Sequence, residues 1–419
     1  MIKHCYQILY KIFADGAYVN IALNNGLKSV SPNDKNIITR IVYGVTEKNI
    51  FLEYAIDKLV KKRPHVSDTV ILKMGIYRIY FMNEPDYAVV NTMVELAKSL
   101  KRSPAFINAV LRKCRKIEMP SEEYEKKSLE YNVPIWAIKE IEKDFGQEIT
   151  EQFFIHPKEL LTHIRHNPKK ISQNDFEQYL NFEFDRKTPY GYYVCHNTLT
   201  KLKEHTHLYT VQSLGSMAVC NAIGVAKGNK VLDVCAAPGG KSIYLKQLAD
   251  ISITSCDIHP HRLELINSYK KRMDENDIKV VKNDAVVFNP KWEGQFDAVL
   301  CDVPCSGLGV LNSRTDIFQH RTKDSIKELT DLQDKIIQTS SKYVKKGGCL
   351  VYSTCTILKQ ENEQIVNKFL ANNTHFKPID FDIKVKSLKL NNNFVQLMPY
   401  ISDTEGFFIA KVKYETTVN

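Results

Sequence analysis

The sequence predicts a multidomain protein: an all-α amino-terminal domain, a small α+β module, and a carboxyl-terminal α/β domain of the Rossmann-like type. Three observations predict it. The chain has 419 residues, more than one ordinary core accommodates. Residues 1–117 carry helical periodicity with no strand alternation. From about residue 208, short apolar runs alternate with amphipathic segments, the pattern of a mainly parallel sheet with crossover helices. The boundaries drawn on this basis are 1–120, 121–207 and 208–419.

In the first segment, Ile37, Ile38, Ile41, Val42 and Val45 form one helical stripe after the capping residues around Ser31 and Asp34. Further helices are expected over 51–60, 68–80, 87–100 and 104–114. The second segment follows an exposed linker, EMPSEEYEKK, and mixes helices at 134–145 and 174–180 with strands at 161–165 and 190–195. It carries no catalytic signal; a minor role in gripping a partner and a packing spacer are equally open. In the third segment the strands fall at 230–234, 251–256, 278–282, 296–301 and 349–353, the last after a Gly347-Gly348 turn. Helices are expected at 241–248, 261–271 and 329–344, and strand-like segments return at 393–397 and 406–412.

Composition narrows the class. A hydrophobic fraction of 43% and a charged fraction of 25% are those of a soluble globular protein. No apolar run reaches the roughly 18 residues of a membrane span, and the start MIKHCYQILYKIF lacks a secretory cleavage pattern. A cytoplasmic protein with no membrane partner is expected, its ten cysteines reduced and serving as core residues, ligands or nucleophiles. No C-x-x-C pair occurs, and Cys301-x-x-x-Cys305 is a poor zinc signal, so no metal is expected. The net charge is +10, and residues 1–120 alone hold 19 Lys and Arg against 10 Asp and Glu. That asymmetry fits a polyanionic partner such as nucleic acid, and equally a solvated cationic surface.

The chemistry concentrates in the third segment. Two apolar strands, Ala298-Val299-Leu300-Cys301 and Leu350-Val351-Tyr352-Ser353, each deliver a cysteine beyond their carboxyl ends, Cys305 and Cys355. In open α/β sheets ligands bind at that edge. Upstream, VLDVCAAPGGKS is a strand, a turn of small residues and a helix start, which lets backbone amides approach a ligand. It is neither G-x-G-x-x-G nor a complete P-loop. Three acids at successive strand ends, Asp233, Asp257 and Asp284, suit a nucleoside better than a phosphorylated ligand, because carboxylates repel phosphate. Any one of them alone reads as a helix cap.

The runs VLDVCAAPGGKS, CDIHPHRLELI, FDAVLCDVPCSGLGV and GGCLVYSTCTILKQENEQIV together resemble the RNA cytosine-5 methyltransferases of the NOL1/NOP2/Sun family. The amino-terminal helices, ending in FINAVLRK, resemble the RNA-binding antitermination factor NusB, and QLMPYISDTEGFFIAKV resembles the family's terminal strands. The resemblance covers nearly the whole chain. It implies that Cys235, Ala236, Ala237, Pro238, Gly239, Gly240 and Lys241 hold S-adenosylmethionine, with Asp257 on the ribose and Asp284 near the adenine. It makes Asp302 a contact to the donor or the target base, Cys355 the nucleophile, and Cys305 the residue that helps release product. It implies as partner 16S ribosomal RNA, naked or in an early assembly intermediate, for a protein acting as a monomer. Two departures stand out. Gln212 is followed by Ser213 where relatives carry aspartate, and Arg314-Thr315-Asp316 replaces an Arg before Pro-Asp, leaving Arg314 and Asp316 as substrate-side contacts.

The chemistry requires a nucleophile, because C5 of cytosine does not take a methyl group unaided. A thiolate added to C6, with N3 protonated or hydrogen-bonded by an acid such as Asp302, makes C5 enamine-like. The thiol must ionise below its ordinary pKa of about 8.5, and Lys241 and Arg314 are candidate sources of positive charge. Cys235, Cys256, Cys301 and Cys349 read as core residues, whereas Cys5, Cys114, Cys195 and Cys220 have no supporting context. Two rival readings remain: the same chemistry on transfer RNA, and a non-catalytic RNA-binding assembly factor.

Overall fold

The computed structural model describes residues 1–156, 161–181, 183–311 and 313–415. It contains two compact units, Met1–Thr150 with Ser313–Lys323, and Glu151–Asn312 with Asp324–Asn419. The division at 150 falls inside the 121–207 segment set apart from the sequence.

The first unit is helical throughout its described residues. It comprises α1 (Ile2–Asp15), α2 (Val19–Gly26), α3 (Pro32–Glu47), α4 (Asn49–Leu59), α5 (Val66–Phe81), α6 (Asp86–Ser99), α7 (Pro104–Leu111), α8 (Glu123–Tyr131) and α9 (Ile135–Phe145), and α10 (Gln147–Ile155) runs across the division. Local chemistry sets the helix starts: Ser31 and Ser103 accept from the backbone N–H three residues on, each with a proline at the next position. Ile38, Ile41, Val42 and Val45 are fully buried, as the stripe requires. Helix α5 is buried from Ser67 to Ile79 and forms the hub. Gly44 of α3 crosses it where a Cβ would meet the Tyr77 ring, so only glycine fits.

Burying α5 all round also buries polar residues, among them Lys73, Arg78 and Asp68, which are ion-paired with Glu53, Glu84 and Arg102. Lys73 Nζ lies 2.5 Å from Glu53 Oε1, donates to Asn49 Oδ1 at 2.7 Å and sits 3.7 Å from the Phe13 ring centre. Burial draws the Lys73 pKa down against the pull of Glu53. Burial also opposes the Glu53 charge, but Lys73 and Arg63 outweigh it and hold that carboxyl below its usual range.

Residues 313–323 belong to this unit. Asp316 is buried, and its Oδ2 accepts from the Val19 N–H at 2.9 Å, satisfying an open donor at the start of α2. Thr315 Oγ1 lies 3.0 Å from Thr46 Oγ1, and Phe318, in the short helix Ile317–His320, meets Trp136 edge-on. Asp316 is therefore a structural cap and not the substrate-side contact expected for it, while Arg314 is exposed.

The second unit opens with a four-stranded antiparallel sheet in the order β2-β3-β1-β4. Its elements are β1 (Thr162–His166), α11 (Gln173–Tyr179), β2 (Arg186–Thr188), β3 (Gly191–Val194), α12 (His196–Leu202) and β4 (Tyr209–Val211). Ile164, Phe176, Tyr192 and Val194 form its core. Then follow α13 (Leu214–Ile223), β5 (Lys230–Asp233), α14 (Gly240–Leu248), β6 (Ser252–Asp257), α15 (Pro260–Met273), β7 (Lys279–Lys282), β8 (Phe296–Asp302), α16 (Lys323–Ser341), β9 (Val344–Thr354) and α17 (Glu363–Asn372). Strands β10 (Phe376–Pro378), β11 (Leu388–Lys389), β12 (Val395–Leu397) and β13 (Phe407–Tyr414) complete it. The larger sheet has nine strands in the order β11-β12-β13-β9-β8-β5-β6-β7, with β10 paired to β13. Pairing is parallel from β9 to β7 and antiparallel where β13 meets β9. Two sequence expectations shift here: Val344 opens a strand instead of ending a helix, and Gly347-Gly348 lies inside β9. The pair forms an irregularity there, because the register jumps from Phe296↔Val344 to Ala298↔Cys349 and Gly347 takes φ 81°.

The small sheet is joined to the large one by polar contacts centred on Arg165 of β1. That side chain is 2% exposed, donates to Gln212 Oε1 at 2.8 Å and to Gln247 Oε1, and stacks on Tyr244. Arg272 adds bonds to Thr206 O, Tyr209 O and Thr210 Oγ1.

In the helical unit, Glu53→Gln leaves the Lys73 ammonium buried against a neutral partner. Chemical unfolding is expected to show a loss of about 3 kcal/mol, against no more than about 1 kcal/mol for removing the exposed Glu95 of the Lys98 pair.

Candidate active site

Strands β8 and β9 run parallel in a register that sets Cys301 beside Tyr352 and Asp302 beside Ser353. The Val303 N–H continues the ladder to Ser353 O at 3.1 Å. Three residues past Asp302 and two past Ser353, Cys305 Sγ and Cys355 Sγ lie 3.2 Å apart. Both thiols are half-buried, whereas Ser306, Thr354 and Thr356 around them are buried. The bond to Cys355, then burial, pushes the Cys305 thiol well above its ordinary range.

The backbone at Cys355 is fixed from two sides. Gly309 N–H donates to Cys355 O at 3.0 Å, and Gly406 N–H donates to Gly309 O at 2.8 Å. A Cβ at Gly309 would stand 2.1 Å from Gly406 O and 2.9 Å from Cys355 O, both backbone atoms. On the other side Asn362 accepts from Thr354 Oγ1 at 2.6 Å and donates to Thr356 O at 3.0 Å. Glu361 is fully buried beside it, accepting from Ser306 N–H at 2.8 Å and from Gln333 Nε2 at 3.0 Å. Sequence reasoning missed Glu361 and Asn362. The available signal was their place in QENE, six and seven residues after Cys355.

Asp302 is held by two donors, Lys241 Nζ to Oδ2 at 2.6 Å and Ser353 Oγ to Oδ1 at 2.8 Å. Burial works against the Lys241 charge, but Asp302 outweighs it and raises the lysine pKa. Lys241 is therefore engaged with Asp302.

The turn after β5 is anchored by backbone bonds from Ala236 N–H to Cys256 O and from Gly239 N–H to Ala236 O, both 2.7 Å, and by Arg262 Nη2 to Ala237 O at 3.2 Å. Gly239 takes φ 108°, which excludes other residues. Asp257 is buried at the end of β6, accepting from His259 N–H and facing Arg262, and Asp284 caps the turn after β7 through Val286 N–H. Ile258, next to Asp257, is 44% exposed. Carboxylates at successive strand ends, an open turn and an exposed apolar side chain form a donor set that fits a nucleoside with an amino-acid tail.

Asp233 lies beneath this turn. Its Oδ2 accepts from Ser242 Oγ at 2.7 Å, and its Oδ1 is buried with no hydrogen-bond partner. Burial pushes its pKa up to about 7. Ser213 caps α13 by accepting from Ser216 N–H, a role aspartate performs equally well. Of the remaining cysteines, Cys256 and Cys301 are buried with pKa values raised by burial to about 12. Cys235 and Cys349 are half-buried, so the core reading fits the first pair better than the second.

Two outcomes follow from this geometry. Between about pH 4 and 7 the folded protein holds a proton on Asp233 that the unfolded chain has lost, so stability falls as pH rises through that window. Asp233→Asn is expected to remove this slope, up to about 1.4 kcal/mol per pH unit, when unfolding is followed from pH 4.5 to 8. Gly309→Ala must displace backbone at Gly406 or Cys355 and is expected to cost about 2 kcal/mol in unfolding experiments and to depress activity.

Residues 3–116 match the family model of the NusB family, and residues 221–413 match that of the 16S rRNA methyltransferases RsmB/F. The probable ribosomal RNA small subunit methyltransferase B of Bacillus subtilis (strain 168) is 30% identical over 444 residues, covering 97% of each chain. The ribosomal RNA small subunit methyltransferase B of Shewanella oneidensis is 28% identical, again over 97% of each. Among solved structures, the crystal structure of PH0851 shares the fold, with a TM-score of 0.84 over 98% of each chain at 23% identity. The helical unit, the α/β sheet and these matches agree: this chain is a methyltransferase belonging to the ribosomal RNA small subunit methyltransferase B family.

Proposed function

We propose that the protein methylates C5 of a specific cytidine in 16S ribosomal RNA through a covalent bond between Cys355 and C6. The observation that carries the reading is the 3.2 Å approach of Cys305 to Cys355 at the ligand-binding edge of the sheet. A buried scaffold needs no such pair beside an ion-paired aspartate. S-adenosylmethionine, held by residues 235–241 with Asp257 and Asp284, supplies an electrophilic methyl group. Cys355, as thiolate, adds to C6 of the base. Asp302, fixed by Lys241 and Ser353, accepts a hydrogen bond from the N4 amino group and orients the base, while a proton from solvent reaches N3 as the thiolate adds, keeps the ring neutral and is returned when Cys355 leaves. C5 takes the methyl group, a base removes the C5 proton, and Cys355 leaves. Cys305 keeps its proton beside the departing sulfur and assists that release.

The charge excess in residues 1–120 supports RNA binding by the helical domain, with 16S rRNA favoured by the names of the relatives. Such binding weakens steeply with salt. The target base must lie in an opened or single-stranded region, because C6 is shielded in a stacked helix. The cytoplasm is the proposed compartment and the monomer the proposed acting form.

The test is a trapping comparison. Wild type, Cys355→Ala and Cys305→Ala are incubated with unmodified 16S rRNA, or with transfer RNA, and methyl-labelled S-adenosylmethionine, then run on denaturing gels. Cys355→Ala is expected to lose on the order of 10³-fold or more in methyl transfer and to form no adduct. Cys305→Ala is expected to accumulate RNA bound covalently through Cys355. Label in transfer RNA alone would move the substrate, and no label in any cytosine with unchanged RNA binding would replace the enzyme with a binding factor.

A further inference from the structure

We propose that Glu361 is a positioning residue for the thiol pair. Its buried carboxyl ties the residues that follow Cys305 and Cys355 to one point, and its charge bears on the two sulfurs they carry. The inference rests on the reading of these two cysteines as the acting thiols.

The contacts are arranged around the sulfurs and not merely near them. Ser306, directly after Cys305, gives Glu361 both its N–H at 2.8 Å and its Oγ at 2.5 Å. The same Oγ lies 2.9 Å from Oγ1 of Thr356, directly after Cys355. Gln333 Nε2 binds Glu361 Oε1 at 3.0 Å and Pro304 O, directly before Cys305, at 2.9 Å. Tyr352, on the strand leading to Cys355, donates its hydroxyl to Glu361 O at 2.6 Å. One side chain thus sets the spacing of two loops fifty residues apart in sequence.

Among the described residues no Lys or Arg forms an ion pair with Glu361. Burial raises its pKa, with the Ser306 bonds acting against the rise. A core anchor would be served as well by an amide, so retaining a costly unpaired carboxyl points to use of the charge. Glu361 is one of the charges that push Cys305 upward, behind the bond to Cys355 and burial.

Glu361→Gln separates the two effects. Its amide oxygen accepts from Ser306 N–H and Gln333, and its NH2 donates to Ser306 Oγ, which turns toward Thr356. The clamp survives and the charge is lost. Glu361→Ala removes both. In the full-length protein, diamide takes two protons and two electrons as the Cys305 and Cys355 thiols become a disulfide, so its rate reports their approach. Iodoacetamide labelling of Cys305 against pH, read by mass spectrometry, reports where its proton sits.

Glu361→Ala is expected to slow cross-linking about tenfold and to lower kcat by about 10²-fold at unchanged KM for RNA. Glu361→Gln is expected to cross-link at the wild-type rate while Cys305 labelling at pH 8 rises about threefold, half a pKa unit. Wild-type rates for both variants in both assays overturn the proposal. If Glu361→Ala does not fold, Gln333→Ala, which frees Pro304, decides the clamp by the same cross-linking rate. If wild type transfers no methyl group yet cross-linking depends on Glu361, the enzymatic reading falls and the clamp stands.

Discussion

The parallel register of β8 against β9 is the constraint on which the site depends. A shift of one residue would move Asp302 away from Ser353 and turn every alternate side chain to the opposite face of the sheet. Buried pairs on both strands, Cys301 beside Tyr352 and Leu300 beside Val351, make such a slip costly. The strands therefore act as two rulers read against each other. Their open ends place two thiols 3.2 Å apart and one carboxylate at the same edge of the sheet, and the irregularity at Gly347 absorbs the length mismatch at the far end.

Electrostatics then divides labour among groups that look alike in sequence. Asp302 is paired with Lys241, Asp233 accepts from the Ser242 hydroxyl, and Glu361 is paired with no cation among the described residues. Three carboxylates consequently occupy three environments. The same holds for the thiols: Cys256 and Cys301 are sealed in the core, whereas Cys305 and Cys355 reach the edge of the site 3.2 Å from each other. Environment, and not residue type, distinguishes the chemistry.

Much of this was legible from the chain. Strand ends near Asp233, Asp257 and Asp302 follow from apolar runs broken by acids and small residues, and the helical first third follows from the Ile38–Val45 stripe. The cysteine pairing was legible as motifs but not as a distance, which is a property of register. Glu361 was invisible because a glutamate at the start of a helical segment reads as a solvated first-turn acid. Only tertiary burial reveals that it faces Ser306. Asp316 misled for the opposite reason: its proximity to the DVPCSG run suggested the substrate, yet its carboxylate serves a backbone N–H almost three hundred residues earlier. Val344 was placed in a helix because periodicity does not separate the end of one apolar element from the start of the next.

The contact between Gly309 and Gly406 carries a consequence for the time order of synthesis. Gly406 immediately precedes β13, the last strand of the sheet among the described residues, so the Gly309 carbonyl beside Cys355 gains its partner only when that late segment has been translated and folded. Closing so long a loop is slow compared with forming the local helices of the first unit. A nascent chain can thus display a folded, basic amino-terminal domain while the loop that carries Cys305 still lacks one of its backbone anchors.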